Sequence, residues 1–213
     1  MSYWNSQSTT SLSVGAGIPV WAKLPERRIT GGKVANTLVL GEKISAGTPV
    51  AFDYVTKEAK FLKCWEIKTS TVDAVTNTIV VLKKTFLTPA LKAGDVVMVM
   101  PATVAGTGKA VVVGTVTTTD TEITLTFVTT DMDALTVGKF LVESSSIGAG
   151  SGKSIYCQPT NLAIEDTIGG SDQNQLGIPL GLKYIFENCI PAMPTVVKAN
   201  IAYVEWEYFN QTT

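Results

Sequence analysis

The chain states one pattern twice, and that repetition limits its possible folds more than any single motif. Thr76-Asn77-Thr78-Ile79-Val80-Val81-Leu82 is followed by Ala90-Leu91, by Gly94-Asp95-Val96-Val97-Met98-Val99 and by Gly108-Lys109. Asp120-Thr121-Glu122-Ile123-Thr124-Leu125-Thr126 is followed by Ala134-Leu135, by Gly138-Lys139-Phe140-Leu141-Val142 and by Gly152-Lys153. The steps from Ile79 to Ile123, Leu91 to Leu135, Gly94 to Gly138 and Lys109 to Lys153 are all 44 residues. Four landmarks moving together imply a duplicated structural unit, and a motif inside such a unit is read differently from a lone one.

The residue types say what the unit is made of. Ile123-Thr124-Leu125-Thr126-Phe127 alternates apolar and polar, the period of a half-buried strand. Val96 to Met100 is apolar throughout, as in a strand covered on both faces. Pro89–Ala93 and Asp131–Leu135 are each expected to form one helical turn, the only helix inside the repeat. Two tandem units of this size fit either two small β-lobes or one pseudo-symmetric barrel. Only 16% of the 213 residues are charged. Val and Thr are abundant, and β-branched side chains suit a pleated surface better than a helix. The predicted class is all-β.

Around the repeat the chain changes character. Residues 1–30 read as an N-terminal arm, polar at Ser6–Ser13 and broken by Gly15, Gly17, Pro19 and Pro25. The arm nevertheless carries Tyr3, Trp4, Ile18, Val20 and Trp21. Such residues either fold back on their own core or dock on a neighbouring subunit, where Trp and Tyr are typical anchors. Residues 31–66 read as a β-meander. After Cys157 a polar loop, Gly169-Gly170-Ser171-Asp172-Gln173-Asn174, precedes a strand near Leu176–Phe186. Pro191 and Pro194 predict an extended stretch. Ile201 to Phe209 predicts a long terminal strand paired with the N-terminal half, with Ala202, Val204, Trp206 and Tyr208 on one face. The expected division is an extended arm at 1–30, a small β-barrel or meander base from 31–66 with 154–213, and an inserted tandem pair of β repeats at 67–153.

Several chemistries are disfavoured. The chain has no histidine, the usual general base and a common zinc ligand. Cys64, Cys157 and Cys189 are odd in number and widely spaced, as buried thiols in a reducing compartment would be. A formal charge of −1 without a basic cluster offers nothing to neutralise phosphates, nor a basic patch for a membrane. No apolar run approaches a membrane span, and Met1–Ser6 lacks the basic start and apolar middle of a secretory signal. The expectation is a soluble protein made in the cytoplasm.

Gly148-Ala149-Gly150-Ser151-Gly152-Lys153-Ser154 looks like a phosphate-binding loop, but its glycine spacing is one short and Ser154-Ile155-Tyr156-Cys157 reads as strand. The matching Gly106-Thr107-Gly108-Lys109-Ala110 has no hydroxyl after its lysine. The glycines are therefore expected to make a turn that both units need. Asp120, Asp131 and Asp133 suggest solvated turns rather than a calcium loop, whose central glycine is absent. No cofactor, metal or catalytic set is expected, and the chain is not expected to be an enzyme.

Gly41-Glu42-Lys43-Ile44-Ser45-Ala46-Gly47-Thr48-Pro49-Val50 with Lys57-Glu58-Ala59-Lys60 resembles the opening of head decoration and head fibre proteins of tailed bacteriophages. Gly177–Tyr184 and Ile190–Ile201 resemble the closing part of the same family, and the repeat between them departs from its small members. The resemblance implies a non-catalytic virion protein on the capsid exterior, bound to the major capsid protein as a homo-oligomer, dimer or trimer. The insertion would project outward, where it could meet a host-surface glycan. A carbohydrate- or receptor-binding β-module of a phage tail or cell surface is the rival reading.

Overall fold

A computed structural model describes residues 26–36, 38, 41–72, 78–127, 133–146, 150–163, 167–168, 175–180, 184–201 and 204–207. The structure is nearly all β. Its repeat region forms one closed barrel. The six strands are β5 (Cys64–Val72), β6 (Thr78–Lys83), β7 (Val96–Val99), β8 (Thr107–Thr118), β9 (Glu122–Phe127) and β10 (Phe140–Glu143). Around the barrel they run β8-β7-β10-β5-β6-β9, and β9 returns to β8. Every neighbouring pair is antiparallel. Of the two outcomes the duplication allows, two lobes or one barrel, the chain takes the barrel. Closure leaves neither unit with a long unpaired strand edge.

The register carries a two-fold relation between β5-β6-β7 and β8-β9-β10. Phe140 pairs with Glu66, and Val96 pairs with Val112. Thus β7 maps to β10 by 44 residues (96 to 140), while β5 maps to β8 by 46 (66 to 112). The shifts in pairing match as well. One lies between Ile67 and Thr69, the other between Val113 and Thr115, again 46 apart. The turn into β7 is copied by the turn into β10. Gly94 N–H donates to the Val113 carbonyl (2.9 Å) and Gly138 N–H to the Ile67 carbonyl (3.0 Å). Both glycines sit at positive φ, +91° and +82°, where a side chain would be strained.

Burial requires a one-residue correction to the repeat at β6 and β9. Thr69 pairs with Val81 and Thr115 with Thr126, so this strand moves by 45 (81 to 126). Val80 then matches Leu125 and Leu82 matches Phe127, and all four are buried. A step of 44 would place buried Val80 opposite half-buried Thr124. Strand side chains alternate, so a slip of one exchanges the faces.

The barrel interior is packed with Trp65, Ile67, Val80, Leu82, Val97, Val99, Val111, Val113, Ile123, Leu125, Phe127 and Leu141. Trp65 Nε1 donates to the Pro89 carbonyl (3.0 Å), which satisfies its one polar group. On the other face of the same wall, Cys64, Met98, Ala110 and Val142 pack with Leu62, Ile155, Cys157, Leu162 and Ile190. This explains the unbroken apolar run in β7. Val97 and Val99 face the barrel core, and Met98 faces the second core.

The rest of the described chain builds that second side. β1 (Glu26–Val34), β2 (Lys43–Ile44), β3 (Pro49–Asp53) and β4 (Glu58–Phe61) come before the barrel. After it come β11 (Gly150–Ser154), β12 (Asn161–Leu162), β13 (Thr167–Ile168), β14 (Gln175–Leu180), β15 (Tyr184–Phe186), helix α1 (Thr195–Asn200) and β16 (Glu205–Glu207). β12, β3, β4, β1 and β14 form a five-stranded sheet in that order. β11 pairs with the first part of β8. Beyond β1, Asn36 extends the pairing with its side chain, accepting from Phe61 N–H (2.7 Å) and donating to the Phe61 carbonyl (3.1 Å).

Four expectations are corrected. The arm read as 1–30 ends sooner, because Glu26 already lies in β1, paired between β4 and β14. Pro89–Ala93 is not a helical turn: Asp95 takes the Lys92 N–H on its side chain (2.9 Å) and holds a tight turn instead. In the sister connection Asp131 and Met132 lie outside the described residues, and Asp133–Leu135 is not helical. The stretch after Pro194 is helical from Thr195, with Pro194 as its extended first cap. Finally, β16 is three residues long and runs parallel to β15, not beside the N-terminal half. Val204 and Trp206 pack on the second core, while Ala202 and Tyr208, expected on the same face, lie outside the described residues.

Candidate functional site

The arm residues Tyr3, Trp4, Ile18, Val20 and Trp21 lie outside the described residues, as does Asp131. The phosphate-loop look-alike falls partly inside. Gly150–Ser154 is strand β11, antiparallel to β8, with a shift in pairing between Gly150 and Lys153. It continues into an isolated bridge between Ile155 and Ser144. The helix whose N-terminus a phosphate loop would use is absent from these residues. Asp133 accepts the Lys109 N–H (2.8 Å), fastening the β9–β10 connection to the start of β8. Asp120 sits in the exposed turn between β8 and β9. Among the described residues no three His, Cys, Asp or Glu side chains gather as metal ligands.

All three cysteines are free and buried. Burial raises the Cys64 thiol, and burial pushes Cys157 up to about 12. Cys157 Sγ donates to the Lys60 carbonyl (3.2 Å). Thiols held protonated in an apolar core are poor nucleophiles, so packing is the role their surroundings support.

One charged group lies where barrel and second core meet. Lys63 Nζ donates to Glu42 Oε1 at 2.5 Å, with side chains only 9% and 6% exposed. Beside it, Glu143 ends β10. Its N–H donates to the Lys63 carbonyl (3.2 Å), and its own carbonyl accepts from Tyr156 N–H (2.8 Å). Glu143 Oε2 is buried without a hydrogen-bond partner. Burial raises the Glu143 carboxyl to about 7, more than Lys63 lowers it. Neither residue stood out in the sequence. The signal was present, since the 44-residue step sets Glu143 against Val99, and Lys63 interrupts the apolar Phe61-Leu62-Lys63-Cys64-Trp65.

The exposed large apolar side chains among the described residues are Tyr54, Val55, Phe86 and Val137, all in turns. Tyr54 and Val55, 48% and 90% exposed, form the tip between β3 and β4. The tip is rigidly built. Asp53 accepts N–H bonds from Val55 (2.7 Å) and Thr56 (3.2 Å), Val55 contributing most to a carboxyl held below its usual range. Phe52 meets Tyr54 edge-on at 4.9 Å. The outer wall of the barrel carries a threonine-rich strip, with Thr69, Val81, Thr124 and Thr117 side by side across four strands, and beside it the ion pairs Lys68–Glu122 and Lys83–Glu66.

The stretches 41–50 and 190–201, far apart in sequence, are brought together. Gly47, at φ +83°, packs so closely beneath Ile190 that an added Cβ would lie 2.3 Å from Ile190 Cγ2. Ile190, Met193, Val197 and Ile201 share a core with Leu62 and Leu162. No family model, no curated protein and no solved structure matches the chain.

Proposed function

We propose that this chain is a structural, non-catalytic protein of a tailed-bacteriophage head, seated on the capsid exterior through its base and presenting the barrel. The observation that carries the proposal is the packing of Gly47 beneath Ile190. Two sequence stretches that resemble the ends of one family of head decoration and head fibre proteins form one folded side. The barrel intervenes between them in sequence. Its start and finish lie together, because Lys63 and Glu143 are joined backbone to backbone. An inserted unit needs such adjacent ends if it is not to split its host. A base made this way would meet the major capsid protein, and copies of the chain would assemble as an oligomer on the lattice.

The anchors are the aromatic arm and the rigid Tyr54–Val55 tip. An apolar anchor repeated on every copy binds by valency without strong charge. The test mixes purified protein with capsids that lack it and sediments the mixture. Full-length protein is expected in the pellet at both low and high salt. Protein lacking residues 1–25 should remain largely in the supernatant; the deletion stops at Pro25 because Glu26 begins a paired strand. Equal pelleting of both would remove the arm from the account. No pelleting of either, with binding to a glycan array, would favour a receptor-binding module instead.

A further inference from the structure

The two-fold relation of the barrel supplies a control for one residue. β10 copies β7 at a step of 44, so Val97 corresponds to Leu141, Met98 to Val142 and Val99 to Glu143. Val99 is buried in the barrel core. Its counterpart is a carboxylate on the same side of the sheet, opposite Val97 across the antiparallel pair, on a residue that is half-buried where Val99 is buried. Lys63, beside Glu143 in the register, gives its ammonium to Glu42. Two carboxylates therefore compete for one ammonium. Glu143 Oε2 is left buried and unpartnered. Ionised, that oxygen is a buried charge that no hydrogen bond answers; protonated, it is not charged.

We infer that Glu143 is a proton-binding site built into the joint between barrel and base, loaded when the chain folds and emptied as the solution becomes alkaline. The joint is local to this residue. Glu143 N–H holds the strand entering the barrel at Lys63, and its carbonyl holds the strand leaving at Tyr156. The charged and titratable groups around it come from four segments. They are Glu42 ahead of β2, Lys63 and Cys64 at the start of β5, Lys92 and Asp95 before β7, and Tyr156 and Cys157 after β11. Burial is the largest influence, Lys63 and Lys92 oppose it, and Asp95 and Glu42 reinforce it. The folded chain then holds a proton that the unfolded chain has already released. Its stabilising effect is complete below the ordinary glutamate range and disappears as pH rises through about 7.

The test uses the full chain and two variants, Glu143→Gln and Glu143→Val, the latter copying Val99. Carboxyl-carbon NMR of glutamate-labelled wild type should show one carboxyl titrating near 7, absent from Glu143→Gln. The wild-type unfolding midpoint should fall from pH 5 to pH 8, and both variants should lose that fall. Corrected for intrinsic exchange, protection of the Tyr156 amide in wild type should weaken over the same interval. If every glutamate titrates in the ordinary range, or if the variants keep the wild-type fall, the inference is wrong. Should neither variant fold, the wild-type titration and the Tyr156 exchange still decide it.

Discussion

At the scale of single residues, the features that matter most are exceptions to the barrel's own pattern. Val99 and Glu143 occupy equivalent places, yet one fills the core and the other is a half-buried carboxylate with one oxygen shut from solvent. Raising that carboxyl from 4.5 to about 7 is linked to stability on the order of 3 kcal/mol, lost between those pH values and constant above them. Measured unfolding free energies of wild type and Glu143→Gln should diverge on that schedule, the variant being the more stable of the two at pH 8. Lys63→Met should act differently. It leaves Glu42 buried without its ammonium, and removing one partner of a buried pair costs about 3–5 kcal/mol. Urea denaturation at pH 7 would read this directly, and Lys63→Met combined with Glu42→Leu should recover much of the loss. A loss below about 1 kcal/mol in the single variant would mean that water reaches the pair.

At the scale of strands, the sequence was legible where periodicity alone decides. The alternation of Ile123–Phe127 and the apolar run of Val96–Met100 each gave a strand with the right degree of burial. Similarity misled where it had to choose a register. Ile79 and Ile123 look like partners, but matching Val80 with Leu125 is what fills the interior. Identity of side chains does not specify a face, whereas burial does. Connections were harder still. Pro89–Ala93 has a composition that permits a helical turn, and a side chain two residues further, Asp95, captures the backbone instead. The C-terminal alternation puts Val204 and Trp206 on the core side but does not name the partner strand, which pairing between distant segments decides. The 45-residue step makes a sharp prediction. Leu125→Ala should cost about 2–5 kcal/mol, as for other buried leucines, while Thr124→Val should change stability by less than about 1 kcal/mol. Comparable losses from the two, by thermal or chemical unfolding, would return the strand to the 44-residue register.

At the scale of the molecule, the expected division into base and insertion meets a shared core. Cys64, Met98, Ala110 and Val142 belong to the barrel wall, and they pack with Leu62, Ile155, Leu162, Ile190 and Met193. Cutting the barrel away would uncover those base residues, so the two parts are expected to support one another. Calorimetry of the intact chain should then show one transition whose van't Hoff and calorimetric enthalpies agree. Two resolved transitions would make the barrel an independent passenger. The candidate arm anchors were found by composition, because aromatic residues are unusual in a polar, proline-broken segment. The buried Lys63–Glu42–Glu143 group could not be found that way, since three common charged residues become a site only once β5 and β10 are paired.

The central claim is that a duplicated three-strand unit closes on itself through β8, and cross-strand NMR contacts test it most directly. In the intact, isotope-labelled chain, β8 must show backbone contacts to two different strands: Val111 with Val97, and Val116 with Leu125. The same spectra should show Trp65 opposite Leu141, the two-fold copy of the first pair. Finding all three contacts would establish the closed barrel. Finding Val116 paired with Leu125, with no contact from Val111 to Val97, would mean an open sheet or two separate lobes, and would contradict it.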